Sequence, residues 1–212
     1  MYLIFLTFSV AQRMIPFFSH SAEPKDEKFI SIVFILFLVK TGLVILQDIS
    51  YIKGLEIVID LIIAIYTIKE FLRWKLPMFS SPAILWVLHL GLFWLPVAFF
   101  MSAISNAIEI FLHVDMYFLS IHLLALGFLT TVFIGFGTRV VLGHSGQPPH
   151  ASSFERNVFL SVQLIVALRA LYSVNVAFSW NLNFLFDIAF TIWLLVFIIW
   201  GYRYGKILIF NK

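Results

Sequence analysis

Seven predominantly apolar stretches, each about the length a helix needs to cross a bilayer, take up nearly the whole of this chain. A spanning helix uses about 20 such residues at a rise of ~1.5 Å each. The stretches cover residues 1–18, 29–46, 55–73, 82–101, 116–141, 158–178 and 184–203. Between them lie breakers: Pro16, Pro24, Gly54, Pro77, Pro82, the Gly143–Pro149 segment and Ser179–Asn183. Of the 212 residues, 62% are hydrophobic, only 12% are charged and 25 are Phe. A soluble globular chain is roughly 45–50% apolar and about 25% charged, so lipid is the environment that accommodates this one. The expected fold is all-α: a polytopic transmembrane helix bundle of about seven spans, forming one membrane domain over residues 1–212.

The basic residues orient the bundle. Arg13, Lys25, Lys28, Lys69, Arg73, Lys75, Arg139, Arg156, Arg203, Lys206 and Lys212 fall on one side when the spans are threaded in order. Only Lys53 falls in a connection on the other side, while Lys40 and Arg169 lie within spans. By the positive-inside rule the basic side is cytoplasmic, so the N-terminus is expected outside and the C-terminus inside. The first span is short, contains Gln12 and Arg13, and lacks the charged n-region and small-residue cleavage site of a signal peptide. A chain that starts outside without an inserting signal reads as the carboxyl-terminal part of a longer architecture. Its leading helices would be missing or encoded elsewhere; the alternative is a genuine seven-helix protein with its short N-terminus translocated.

Two classes of partner are excluded. No basic run is long enough to track a phosphate backbone, so the net charge of +3 reflects membrane flanks and not nucleic acid. With no cysteine there is no disulfide, thiolate ligand or iron–sulfur cluster. Any metal would be held by His, carboxylate or Met.

Polar groups within the spans are costly, about 2.5–3.5 kcal/mol per charge even on lenient insertion scales. Lys40 and Asp60 fall at similar depth on either side of a hairpin turning near Ser50, and pairing is their least costly arrangement. A structural pair that locks the hairpin is favoured over an ion or proton relay. Arg169 lies in the middle of the sixth span and keeps its charge. It needs a carboxylate, an anionic cofactor group or water, and Asp187 or a haem propionate serves equally well.

Six histidines are present: His20, His89, His113, His122, His144 and His150. Imidazole is a common metal and haem ligand, although a single His within a span is more often a hydrogen-bonding residue between helices. At 100° per residue, Gly127, Thr131, Gly135 and Thr138 form a small-residue stripe suited to close helix packing. His122 projects to the opposite face with Phe118, Leu129, Phe133, Phe136 and Val140, toward an aromatic-lined cofactor or toward lipid. His89 lies in the inner third of the fourth span and His122 in the outer third of the fifth. Straight helices would separate them by on the order of 10 Å, too far for one metal ion. His144, just past the inner end of the fifth span, is closer in depth to His89. His20 and His150 are expected in solvent, and His113 in an outer connection with Glu109 and Asp115. Gly143–His144–Ser145–Gly146 has neither the spacing nor the context of a hydrolase elbow.

Several stretches together resemble the NnrS family. They are Gln12–Arg13–Met14–Ile15–Pro16–Phe17–Phe18, Leu85–Trp86–Val87–Leu88–His89–Leu90–Gly91, and His122 followed by the Thr138–Arg139 to His144–Ser145–Gly146 run. Ala167–Leu168–Arg169 also fits. The Thr-Arg-x-x-Leu-Gly-His-x-Gly spacing is the most specific of these. The resemblance implies a bacterial inner-membrane protein linked to haem, copper and nitric oxide tolerance, with about twelve spans and both ends cytoplasmic. Without five leading spans, seven remain that begin outside and end inside. The resemblance makes His89, His122 and His144 the candidate metal ligands, with Arg139 and Arg169 completing a cofactor site and Arg13 in support. The family's amino-terminal part, with its own His motif, is missing here, and Gln147 stands where the family often has Arg.

Three functions compete. One is a haem- or copper-binding membrane protein for nitric oxide tolerance, with nitric oxide as ligand. Another is an ion-coupled secondary transporter using Lys40/Asp60 and Arg169/Asp187, which predicts internal repeats and broken helices, with Pro96 as one candidate break. The last is a helical scaffold that completes a partner subunit.

Overall fold

The computed structural model describes residues 1–18, 27–46, 51–75, 82–147 and 151–210. His20 and His150 lie outside the described residues. Seven helices follow one another: α1 (Tyr2–Phe18), α2 (Glu27–Ile45), α3 (Ile52–Arg73), α4 (Ala83–Leu112), α5 (Tyr117–His144), α6 (Ser153–Phe178) and α7 (Phe184–Phe210). There is no strand among the described residues.

Among the described residues five helices are long and apolar enough to cross a membrane: α2 from Lys28, and α4, α5, α6 and α7. The other two differ for stated reasons. The apolar run of α1 is shorter, Tyr2–Ile15. Helix α3 carries Lys53, Glu56, Asp60, Lys69, Glu70 and Arg73, and it turns Glu56, Asp60 and Glu70 inward, where all three are buried.

Helix α4 is the hub. Fifteen of its 30 residues are buried against three of the 27 in α7, and it touches α1, α3, α5 and α6. Its partners meet it through Leu88, Leu95 and Phe99, packed with Ile63, Phe128 and Phe159. Across the α4–α5 seam the backbones approach closely. A Cβ on Gly127 would come within 2.7 Å of the Trp94 ring, and one on Gly135 within 2.6 Å of Leu88. Thr131 and Thr138, the other members of the small-residue stripe, are fully buried. A hydrogen-bonded bridge ties in α6: Trp94 Nε1 donates to Gln163 Oε1 (2.7 Å) and Gln163 Nε2 donates to Thr131 Oγ1 (3.1 Å).

The structure departs from the sequence reading in two places. Helix α4 does not stop near residue 101 but continues to Leu112, 30 residues in all, or ~45 Å of helix. Pro96 does not break it. The extension is held because Ser102 and Asn106 hydrogen-bond Asp60 of α3 and Glu109 pairs with Lys53. His113 ends the helix in a left-handed conformation (φ 56°). The other departure is in α5, where Leu123–Thr130 winds as a π-helix directly after His122. Thr130 and Thr131 hydroxyls donate to the carbonyls of Ala125 and Leu126, five residues back, which supports the wider turn. Such turns are rare and recur at functional sites.

At the opposite end of the bundle, Ser152 and Glu155 form a capping box that starts α6. Tyr204 of α7 donates to Glu155 Oε1 (2.7 Å), and Trp200 Nε1 donates to Thr138 Oγ1 (2.9 Å). These contacts fix the end of α7 against α5 and α6.

Candidate functional site

His122 is the last α-helical residue before the π stretch. Its ring is half-buried, stacks on Phe118 of the projected aromatic face (centroids 6.4 Å apart), and reaches α6. Nδ1 lies 2.7 Å from Ser173 Oγ, and Nε2 lies 2.6 Å from Arg169 Nη2. The protons can be assigned by elimination. Ser173 gives its only hydroxyl proton to the Arg169 carbonyl (2.9 Å), so toward His122 it can only accept. Nδ1 must therefore carry a proton. Arginine offers donors alone and does not lose its charge, so Nε2 must accept. His122 is thus a neutral imidazole, Nδ1–H tied to a hydroxyl, with its Nε2 lone pair turned toward a cation.

Arg169 is held on three sides. Beyond His122, its guanidinium sits 4.7 Å from the Phe186 ring centroid and 5.3 Å from that of Tyr172, a cation–π arrangement. Among the described residues no ion pair joins it to Asp187, which is exposed in the first turn of α7. That position favours an acid because the helix N-terminus carries partial positive charge.

The other candidates stand apart. The α4–α5 register follows from two close contacts, Gly135 against Leu88 and Gly91 against Val132. His89 therefore lies level with Ile134, about twelve residues from His122 along α5, or on the order of 15 Å. It is 1% exposed. His144 lies ten residues further on in sequence, in the last turn of α5, and is exposed. A basic residue there complements the helix C-terminus. Arg139 is half-buried in that same final stretch. The three imidazoles are stepped along α5 and do not converge, and among the described residues no group of three or more His, Asp or Glu could hold a metal ion.

A second polar cluster joins α2, α3 and α4. Lys40 Nζ bonds both Glu56 Oε2 (2.7 Å) and Asp60 Oδ2 (2.8 Å). Ser102 donates to the same Asp60 oxygen (2.7 Å). The Lys40–Asp60 pair was legible from depth alone. Glu56 was not read as a partner; the signal available was its spacing of one helical turn from Asp60.

The model of one protein family, described as NnrS protein, matches residues 1–212. No curated protein and no solved structure matches the chain. The chain belongs to the NnrS family.

Proposed function

We propose that this NnrS-family membrane protein serves the bacterial nitric oxide response in the inner membrane, binding haem or copper through single imidazoles. Family membership over the full chain supports the role, and the state of His122 supports the mode of binding. A metal-ligating histidine typically donates its remote N–H to a second group, which sets the tautomer and leaves the other nitrogen as ligand. His122 has that arrangement through Ser173, and its Nε2 already faces a positive charge. Arg169 must withdraw for a metal to take that nitrogen, and the freed guanidinium is suited to an anionic cofactor group such as a propionate. His89 and His144, with Arg139, would serve separate positions, because no two of the three histidines share a level. Held by imidazole, haem iron or copper would supply a binding position for nitric oxide, a neutral diatomic that partitions into the bilayer.

In this reading the N-terminus lies outside and the C-terminus inside. Ion-coupled transport is the weaker alternative. It retains Lys40 and Asp60, but Arg169 is engaged by His122 instead of Asp187, and α4 passes through Pro96 unbroken.

The test is an absorbance spectrum of the chain purified in mild detergent, oxidised and dithionite-reduced, with copper measured on the same sample. A Soret band that is lost in His122→Ala and kept in His144→Ala is the expected result. Material with neither a Soret band nor bound copper, from cells supplied with both, would overturn the reading for this chain.

A further inference from the structure

The polar residues in the second half of α4 fall on one line. Ser102, Ser105, Asn106 and Glu109 recur at helical spacing, in a helix otherwise almost wholly apolar. They border a cavity of about 360 Å³ at the end of the bundle bearing Glu109 and Tyr117. Lys40 and Thr41 of α2, Glu56 of α3, and Tyr117 and Ser120 of α5 border the same space. Polar and ionisable residues are costly in a span, and those that occur face the bundle interior or a water-filled cavity. Here four helices direct theirs to one place. No histidine lines it, so it is separate from the His122–Arg169 pair.

The lining both donates and accepts. Lys40 has three N–H donors and gives two, to Glu56 (2.7 Å) and Asp60 (2.8 Å). The Asn106 amide and the Tyr117 hydroxyl bring further donors. Thr41 and Ser105 have given their protons to the Phe37 and Met101 carbonyls (2.7 and 2.8 Å), and Ser102 has given its own to Asp60 (2.7 Å). These three present lone pairs. A ligand that only donates or only accepts would leave half of this wall unmet. Water meets both halves, and the volume holds on the order of ten molecules. The way in lies at the rim, where Lys53 pairs with Glu109 and both side chains are 30% exposed.

The cavity also has a floor. Asp60, 0% exposed, lies behind Lys40 and Ser102. Next along the bundle come Phe37, Ile63 and Phe99, none more than 3% exposed, with Phe37 edge-on to Phe99 at 5.3 Å. The buried polar stripe of α3 resumes at Thr67 and Glu70, the latter ~15 Å of helix beyond Asp60. Thr67 turns its hydroxyl back to the Ile63 carbonyl (2.7 Å), and Glu70 is engaged by Gln12 (3.2 Å) and Arg73 (2.6 Å). Hydrocarbon therefore interrupts the stripe between its two ends.

We propose that this cavity is a blind aqueous inlet through which the Lys40–Glu56–Asp60 cluster exchanges protons with one side of the membrane only, the side of Glu109 and Tyr117. Water reaches Glu56 directly; a proton passes from it to a carboxylate oxygen and returns by the same path. The other ionisable groups facing the cluster are the Met1 amino group, Glu109 with its partner Lys53, and the Tyr117 hydroxyl. The floor makes this an inlet and not a channel.

The chain has no cysteine, so single cysteines can report the water. The thiolate is the reactive form, and apolar burial suppresses it. Ser105 and Ser120 are only 5% and 7% exposed. Ser105→Cys and Ser120→Cys should nevertheless react with impermeant trimethylammonioethyl methanethiosulfonate, at least tenfold faster from the side that labels Asp115→Cys than from the other. Ala64→Cys, 6% exposed and beyond Asp60 on α3, should react from neither side. Ala125→Trp, which fills the cavity without altering a charge, should slow Ser105→Cys at least tenfold in protein whose helical circular dichroism is unchanged. Proton exchange is read on the wild-type chain in detergent: the infrared difference between two pH values should show carboxyl C=O intensity that Glu56→Gln diminishes. The inference is overturned if Ser105→Cys and Ser120→Cys are as inert as Ala64→Cys, if they react equally from both sides, or if folded Ala125→Trp leaves the rate unchanged. Identical infrared differences for wild type and Glu56→Gln would overturn it as well. No readout depends on haem or copper, so this test and that of the proposed function fail independently.

Discussion

His122 shows how a single residue's protonation follows from its neighbours' inventories. Ser173 has one proton and gives it to a carbonyl, and Arg169 has no acceptor, so the imidazole has one satisfying state. The predicted tautomer is Nδ1–H, readable in the 15N shifts of a His-labelled sample; an Nε2–H or doubly protonated ring would contradict the geometry. Lys40 is the other residue on which much depends. It is 3% exposed, between Glu56 and Asp60, the latter 0% exposed. Removing one partner of a buried ion pair strands charge, at about 3–5 kcal/mol. Lys40→Met should lower stability by that order in reversible denaturation, and adding Asp60→Asn should recover part of the loss. The Lys40–Asp60 pair could be foreseen because charges within spans seek partners. The Arg169–His122 pair could not, since the projection of one helix does not say which side chain of a neighbouring helix meets it.

At the scale of elements, the small-residue stripe of α5 was read from spacing, and the structure uses it against α4. Gly135→Leu would force a side chain into Leu88, and overpacking of this kind costs about 1–3 kcal/mol; a drop in thermal midpoint without loss of helical signal is the expected readout. The π turn carries no comparable mark. Leu123–Thr130 contains no Pro and one Gly, and its apolar pattern suits any helix. Within the fold, the Thr130 and Thr131 hydroxyls reach carbonyls five residues back, and Gly127 packs against Trp94. Deleting Ala125 should let this stretch relax to α and turn Leu129 away from the wall it shares with Ser105. A cysteine at Leu129 and another at Ser105 would then lose any disulfide they form in the undeleted chain. With no native cysteine, the background is clean.

At the scale of the molecule, sidedness is the property to test. Single cysteines at Asp115 and at Arg156 should differ in intact spheroplasts: the first labelled by an impermeant maleimide, the second only after permeabilisation. The reverse pattern would invert the topology. The sequence by itself determined that the chain is helical and that five of its helices are long and apolar enough to cross a membrane. These follow from hydropathy and charge, which act along the chain and need no neighbour. The tertiary structure alone decided that α4 runs on to Leu112, that α5 loosens into a π turn, that Glu56 joins Lys40, and that Arg169 holds His122 instead of Asp187. Each of these is settled by what a buried polar group finds across a helix–helix seam, where an unmet donor or acceptor costs about 1–3 kcal/mol. Partners across a seam are set by packing register, which no stretch of sequence contains on its own.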